Sequence, residues 1–206
     1  MKLYAGLLTA ATATALIGAA FAAETDKFVQ RGDTAKAIME QNSINIATAE
    51  AIGKACVDEA TKEGVKISIV IYDQFGEPVY FYRMDGQGKA NVDTAFMKAR
   101  TALNVRAPSK TVMNQVLQGR ASELRQYSFG NFANSGGLPI IVNGNQMIGA
   151  VGVGGSAPRV PVWSDEICAW RALTKVIGPQ PPLLPDVQRN ANAGGAGPRG
   201  NGAPNQ

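Results

Sequence analysis

The chain has 206 residues, with 20 lysines and arginines, 16 aspartates and glutamates, and no histidine. Its formal charge of +4 is small and the cationic residues are scattered, so no nucleic-acid partner is indicated. The absence of histidine excludes Ser-His-Asp and Cys-His nucleophilic sites, and it excludes zinc or haem held by histidine. We therefore predict no metal site.

The N-terminus is organised like a secretory signal peptide. Lys2 supplies a positive charge, residues 3–19 form an apolar run, and residues 20–22 read Ala-Phe-Ala, which is typical of a cleavage site. We predict cleavage after Ala22 and a periplasmic or secreted protein. No later stretch approaches the roughly 18 apolar residues that cross a bilayer, so no membrane span is expected.

Composition divides the rest of the chain into three parts. Residues 23–42 are weakly patterned and are predicted to be an N-terminal lead-in to a single domain at residues 43–178. Residues 179–206 are rich in proline, glycine and asparagine and lack apolar periodicity. We predict that they form a disordered tail, because such a composition buries too little apolar surface to become ordered.

The first half of the domain is predicted to be a helix followed by a β-hairpin. Ser43 or Asn45 can cap a helix that continues to about residue 63, since apolar residues recur every three or four positions. Gly64 stands where such a helix ends. The β-branched run at residues 67–72 and the run at residues 78–84 are predicted to be the two strands of the hairpin.

Two helices are predicted to follow this hairpin. Asn91 can cap the first, which carries Lys98 on the face opposite its apolar residues. Ser109, directly after Pro108, can cap a shorter second helix. Residues 120–132 show no clear pattern and are left unassigned.

A second hairpin follows, at residues 136–155. Two apolar runs flank Asn143 and Gly144, a pair that strongly favours a tight turn with positive φ at both positions. Gly-Gly pairs stand at both ends of the hairpin, at residues 136–137 and 154–155. Backbone without side chains can let a ligand or another chain approach closely. It is equally consistent with glycines that serve only turns and strand packing.

The last element is predicted to be a helix capped by Ser164, with Asp165 and Glu166 in its first turn, where the helix dipole favours carboxylates. The order of elements is therefore α-β-β-α-α-β-β-α. We predict an α+β fold in one domain, in which two hairpins form an antiparallel sheet and helices pack on its faces.

Six segments of the domain, in this order, resemble the GlcG/HbpS-like family, which is also called the haem-degrading domain family. The segments are residues 70–73, 83–86, 98–102, 136–140, 148–155 and 165–168. The resemblance covers roughly residues 44–177. It implies an antiparallel sheet, homo-oligomers such as tetramers or octamers, and a pocket for a small molecule, with haem or cobalamin-related roles for some members.

Haem is therefore a cofactor that the resemblance implies, although this chain has no histidine to ligate it. Other side chains can ligate haem iron in principle. These are Tyr72, Tyr80, Tyr82, Met84, Met97 and Cys168. Each is also explained by packing in a core or an interface.

Arg83 and Lys98 are the cationic candidates for binding an anionic ligand. We predict that Arg83 and the backbone amides of Gly136, Gly137, Gly154 and Gly155 hold the ligand, and that Lys98 supports them. The alternative is that both cations are solvated at the ends of their elements.

Two candidates for proton transfer remain in the absence of histidine. Asp85 and Lys98 are the weak catalytic candidates, since a carboxylate or a lysine can move protons. Asp165 and Glu166 are already explained as residues of the first turn of a helix.

Three functions of different classes are compatible with the sequence. The first is an exported protein that binds a small anionic or haem-like ligand as a homo-oligomer. The second is a lyase or isomerase that acts on a small oxygenated acid, and the third is a structural or partner-binding subunit without a ligand.

Cys56 and Cys168 are the only cysteines, and an even number in an exported protein favours a disulfide. In the fold that the resemblance implies, their two helices lie on the same face of the sheet. Buried free thiols are the alternative.

Overall fold

The computed structural model describes residues 32–33, 36, 42–120, 125, 127–155 and 163–187. The chain divides into two units, residues 1–42 and 43–206. Of the first unit, the described residues Gly32, Asp33 and Lys36 are helical. The predicted signal peptide, almost all of the lead-in and residues 188–206 lie outside the described residues and stay predictions.

Helix α1 (Ile46–Lys62) opens the second unit. Asn45 caps it by accepting a hydrogen bond from the backbone N–H of Thr48 at 2.9 Å, as one of the two predicted caps requires. The helix ends before Gly64, whose φ of 65° is the left-handed conformation expected there. One side of α1 is buried, through Ala49, Ile52, Gly53, Ala55, Cys56 and Ala60.

Four strands form one antiparallel sheet in the order β2-β1-β4-β3. They are β1 (Ser68–Asp73), β2 (Pro78–Arg83), β3 (Gly137–Val142) and β4 (Gln146–Gly154). Each predicted hairpin is present, and β1 pairs with β4 to join them. The predicted α+β fold and its order of elements are confirmed.

The turn between β3 and β4 has the predicted backbone. Asn143 has a φ of 52° and Gly144 a φ of 80°, so both residues lie in the left-handed region. The Asn-Gly pair is suited to this because asparagine tolerates positive φ and glycine has no Cβ to oppose it.

Helix α2 (Lys89–Val105) begins earlier than predicted. Its N-cap is Gly88, so the prediction that Asn91 caps it is wrong. The Asn91 side chain instead donates a hydrogen bond from Nδ2 to Gln87 Oε1 at 2.6 Å. Asn91 lies inside the first turn of the helix, three positions after Gly88, and therefore cannot be its N-cap.

Helix α3 (Ser109–Leu117) also begins one residue earlier than predicted, so Ser109 is not its cap. Its N-cap is Pro108, and Ser109 is its first residue. The Ser109 hydroxyl accepts from the N–H of Gly137 at 2.9 Å and donates to the carbonyl of Asn134 at 2.5 Å. The serine therefore connects α3 to the entry of β3. Of the unassigned stretch, residues 127–129 form a 3₁₀ turn.

Helix α4 (Asp165–Val176) has the predicted cap, since Ser164 accepts from the N–H of Ile167 at 3.3 Å. Cys56 of α1 and Cys168 of α4 are joined by a disulfide bond, with a Cα–Cα distance of 5.3 Å. Both cysteines are fully buried.

The predicted tail begins too early at residue 179. Leu183 and Val187 are buried in the core, and Gln180 exchanges two side-chain hydrogen bonds with the backbone of Ile141. Lys110 also forms an ion pair with Asp186 at 2.9 Å. Residues 179–187 therefore belong to the domain. Composition concealed this because a few apolar side chains and one glutamine are enough to bind the segment to the edge of β3.

The sheet has helices on both faces. Alternate residues of β1 point to opposite sides, so that Ile69 and Ile71 face α1 and α4 while Val70 and Tyr72 face α2. The face of α1 and α4 holds the large apolar core. In the part of the chain that the structure describes, no helix is long and apolar enough to cross a membrane.

Candidate functional site

A polar cavity of about 340 Å³ lies where β4 ends and α4 begins. Helix α2 contributes Asn91, Thr94 and Lys98 to its wall. The segment before β3 contributes Asn134 and Ser135, and the other lining residues are Gly155, Ser164 and Asp165. The described lining residues therefore offer amide, hydroxyl, ammonium and carboxylate groups and the backbone of a glycine.

Lys98 forms a buried ion pair in this cavity. Its Nζ donates to Asp165 Oδ2 at 2.7 Å and to the carbonyl of Val153 at 2.9 Å. The lysine is only 5% exposed, so its predicted position on a polar helix face is wrong. The helix turns Lys98 toward the end of β4, where the carbonyl and the first residue of α4 provide its partners.

Glu166, the neighbour of Asp165, is fully buried and points to a different group. Its Oε2 accepts from the Ser135 hydroxyl at 2.6 Å and from the Gly136 N–H at 3.3 Å. No described residue forms a hydrogen bond with Oε1. Burial raises the pKa of Glu166, although its two hydrogen bonds and the charge of Lys110 oppose that rise, and Asp186 adds to it.

Close packing of α2 explains Gly137 and Gly154, two of the four glycines that the sequence predicts to hold a ligand, and it also explains Gly152. A Cβ at Gly152 would lie 2.6 Å from the Ala99 nitrogen, and one at Gly154 would lie 2.8 Å from Thr94 Oγ1. A Cβ at Gly137 would lie 2.6 Å from the Lys98 carbonyl carbon. The space beside these glycines is therefore filled by the backbone and side chains of α2.

Of the four glycines predicted to hold a ligand, Gly155 alone lines the cavity. The amides of Gly136 and Gly137 are already bonded, to Glu166 and to Ser109. Gly154 is covered by α2. The geometry thus supports the ligand role for Gly155 and not for the other three.

Arg83 and Asp85 are not among the described residues that line the cavity. Both are exposed, and Arg83 Nε donates to the carbonyl of Gln87 at 2.8 Å. Ser68 of β1 pairs with Arg83 on one side and with Gly154 on the other. Two strand spacings, together about 10 Å, therefore separate Arg83 from the end of β4. Direct contact of Arg83 with a ligand in the cavity is not supported.

Several cavity residues had no recognisable signal in the sequence. Lys98 and Asp165 are 67 positions apart, and nothing local indicates that they pair. Asn91 was interpreted as a cap, and Asn134 and Ser135 follow a stretch without pattern. Asp165 does lie in the first turn of α4, as predicted, but that position does not reveal that it pairs with Lys98.

The family model for "Haem degrading protein HbpS-like" matches residues 44–174. The chain belongs to the HbpS-like family. The match covers the sheet, α1–α3 and nearly all of α4, so the family's domain and the described domain coincide closely.

Solved structures support the assignment to the HbpS-like family. HbpS is 27% identical with a TM-score of 0.59, and the similarity covers 73% of this chain and 99% of that one. Protein ORFY of Klebsiella pneumoniae is 26% identical with a TM-score of 0.58, covering 71% of this chain and 92% of that one. No curated protein matches the sequence significantly.

A third structure shows the same fold at lower identity. It is a PduOC–haem complex, 19% identical with a TM-score of 0.58, and the similarity covers 64% of this chain and 94% of that one. At this identity the likeness concerns the fold alone.

The described residues of this HbpS-like chain do not fit haem. Cys168 is in a disulfide, Met84 Sδ accepts from the Ile67 N–H, and Tyr72 is buried against Phe96. Tyr80 packs on α1, Tyr82 is exposed, and Met97 does not line the polar cavity. Haem needs an axial ligand, and none of these six side chains is among the described residues that line the cavity. Among the described residues there is also no His/Cys/Asp/Glu cluster suited to a metal ion.

Proposed function

We propose that the protein is an exported, homo-oligomeric binding protein of HbpS type, whose cavity takes a small anionic molecule beside Lys98. The observation that carries this proposal is the ammonium group of Lys98, buried in a polar wall. A buried ammonium is expensive to desolvate and is retained where it has anionic or carbonyl partners.

The electrostatics of the cavity favour a single carboxylate. Lys98 is shared with Asp165, and the N-terminus of α4 adds a partial positive charge at the same wall. Burial raises the pKa of Glu166, and its Oε2 is bonded to Ser135 and Gly136 rather than to Lys98. A ligand carboxylate can therefore share the ammonium with Asp165.

The alternative ligand for such a binding protein is a haem-like molecule. The PduOC neighbour is a haem complex, and the family's description names haem degradation. The absence of histidine, and of any tyrosine, methionine or cysteine among the described residues that line the cavity, makes haem the weaker candidate. Haem added to the pure protein should bind weakly and without the spectrum of histidine-ligated iron.

Native mass spectrometry of protein purified from its own host tests the proposal. A bound small molecule is expected on the parent protein, and Lys98→Met is expected to lose it. Lys110→Met is the matched control, because Lys110 also pairs with a carboxylate but lies outside the cavity. Absence of any ligand from the parent would favour the structural or partner-binding subunit instead.

Homo-oligomer formation is supported by the unequal edges of the sheet. Gln180 covers β3 at one edge, whereas Phe81 and Tyr82 on β2 at the other are 43% and 45% exposed. Open edges and exposed aromatic residues favour association. Analytical ultracentrifugation should show an oligomer, and Phe81→Glu should shift it toward the monomer.

Export is tested by the intact mass of the secreted protein. Processing after Ala22 gives a mature chain that begins at Ala23. A mature protein that retains Met1 would contradict the predicted location.

Glu166 favours one enzymatic alternative, a lyase or isomerase for a small oxygenated acid. Its pKa is raised, and it accepts a hydrogen bond from the Ser135 hydroxyl in the cavity wall. A buried carboxyl with a raised pKa is a candidate for a proton-transfer role. Turnover that disappears in Glu166→Gln while ligand binding persists would support an enzyme over a binding protein.

A further inference from the structure

Ser135 presents only hydrogen-bond acceptors to the cavity. Its single hydroxyl proton is donated to Glu166 Oε2, which also accepts from the Gly136 N–H. Oε2 accepts both hydrogen bonds, so the hydroxyl proton of Ser135 is used in the bond to Glu166. A group that meets the Ser135 oxygen from the cavity must therefore be a donor.

The orientation of the Asn91 amide follows from a chain of hydrogen bonds. The Gly88 N–H donates to one side-chain atom of Gln87, which must therefore be the carbonyl oxygen Oε1. The other atom, Nε2, donates to the carbonyl of Lys66. Because Gln87 Oε1 can only accept, Asn91 contributes Nδ2 to it and retains its own Oδ1 as an acceptor.

Thr94 is the next acceptor on the same helix. Its hydroxyl donates to the carbonyl of Asn91 at 3.1 Å, so its proton is used within α2. Asn91 and Thr94 are three residues apart and therefore neighbours on one face of the helix. Thr94 leaves lone pairs for any group that approaches it, as Ser135 does.

These groups and Lys98 define the ligand that complements the cavity. We infer that the cavity binds a polyhydroxylated carboxylate of the sugar-acid class, with its carboxylate at Lys98 and its hydroxyl groups donating to Ser135, Asn91 and Thr94. The volume of about 340 Å³ is at the small end of ligand cavities and suits such a molecule. The inference rests on the proposed function of the cavity.

Selection by hydroxyl groups has a physical basis. A ligand without hydroxyl groups displaces water from the three acceptors and leaves them unpaired, which costs affinity. Sites built to hydrogen-bond a hydroxyl reject analogues that lack it much more strongly than apolar pockets reject a missing methylene. The deoxygenated acid should therefore bind poorly even though it keeps the charge.

Isothermal titration with three probes tests the inference on the full mature protein. Gluconate carries both hydroxyl groups and a carboxylate, hexanoate has the same carbon chain without the hydroxyl groups, and sorbitol has the hydroxyl groups without the carboxylate. Gluconate is expected to bind about tenfold or more tightly than either of the others.

Two Thr→Val variants, which make the same change in side-chain shape, test whether the cavity acceptors bind the gluconate hydroxyl groups. Thr94→Val removes a cavity acceptor and is expected to weaken gluconate binding about fivefold while leaving hexanoate unchanged. Thr111→Val is the matched control, because Thr111 lies on α3 outside this cavity. Ser135→Ala should resemble Thr94→Val, and thermal unfolding verifies that each variant is folded.

The outcomes separate the inference from the proposal on which it rests. Equal affinities for gluconate and hexanoate, both lost in Lys98→Met, would overturn the inference and keep the anion site. Equal affinities for gluconate and sorbitol would overturn the assignment of the carboxylate to Lys98. If gluconate does not bind, or binds unchanged in Thr94→Val, the inference is wrong, whether or not native mass spectrometry finds another ligand.

Discussion

One face of the sheet is packed by side chains, and the other is packed by backbone. On the first, α1 and α4 bury aliphatic residues such as Ile52, Ile69 and Leu173 in one large cluster. On the second, α2 approaches so closely that Gly152 has no room for a side chain and the buried apolar cluster is small. The first face provides most of the hydrophobic stabilisation, and the second allows α2 to lie close to the backbone of β4.

The close approach of α2 has a functional consequence. It brings Lys98 within hydrogen-bond distance of the Val153 carbonyl, near the end of β4, and of Asp165, the first residue of α4. A helix held away from the sheet by larger side chains would leave this ammonium unpaired. The glycines of the second hairpin thus contribute to the site by admitting the helix that carries its residues, and they need not contact the ligand.

The largest expected effect concerns the side-chain-packed face, where Cys56 and Cys168 join α1 to α4. Replacing both by alanine should lower the free energy of unfolding by about 4 kcal/mol, because the bond closes a loop of 112 residues. Chemical denaturation of the exported protein measures it. Two free thiols in denatured, unreduced protein would show that the bond does not form.

The backbone-packed face is tested by Gly152→Ala. The added methyl would overlap the Ala95 carbonyl and lie 2.6 Å from the Ala99 nitrogen, so strand and helix must separate. We expect a loss of about 3 kcal/mol in the free energy of unfolding and weaker ligand binding. Gly88→Ala is the control, because nothing lies within 4 Å of a Cβ there. A tolerated Gly152→Ala would mean that α2 is not held tightly.

The fold and the site were predictable to different extents. The hairpins, the Asn143-Gly144 turn and the caps Asn45 and Ser164 depend on residues close in sequence, and the structure has them all. The pairing of Lys98 with Asp165 depends on tertiary packing. A lysine opposite an apolar helix stripe is normally solvated, and only the contact of α2 with the sheet buries this one.

Glycines are a second case in which the sequence alone does not reveal the tertiary contact. A bare backbone has the same sequence whether a ligand or a helix lies against it, so Gly137 and Gly154 supported both interpretations. The segment 179–187 was excluded on composition, although it contains two side chains that complete the core. Local composition records an average, whereas burial of a short segment depends on a few contacts.

A smaller effect is expected at Glu166, in the first turn of α4. Burial raises its pKa above the ordinary 4.5, so the stability associated with its neutral form is complete below 4.5 and decreases as pH rises through the raised pKa. Glu166→Gln removes this titration. The variant should match the parent at about pH 4 and be more stable at about pH 8, as thermal unfolding measures. A parent whose pH dependence equals that of the variant would contradict the shift.

Arg83 should give the smallest effect, because it belongs to neither packed face. It lies exposed at the open edge, and its one hydrogen bond between described residues goes to the carbonyl of Gln87. From the sequence, loss of an arginine–carboxylate contact is expected to cost about 1.5–3 kcal/mol of binding. From the structure, we expect Arg83→Ala to change stability and gluconate affinity by less than about 0.5 kcal/mol. Lys98→Met, measured in the same titration, is the positive control. A tenfold loss of affinity in Arg83→Ala would place the ligand at the β2 edge and contradict the cavity as the site.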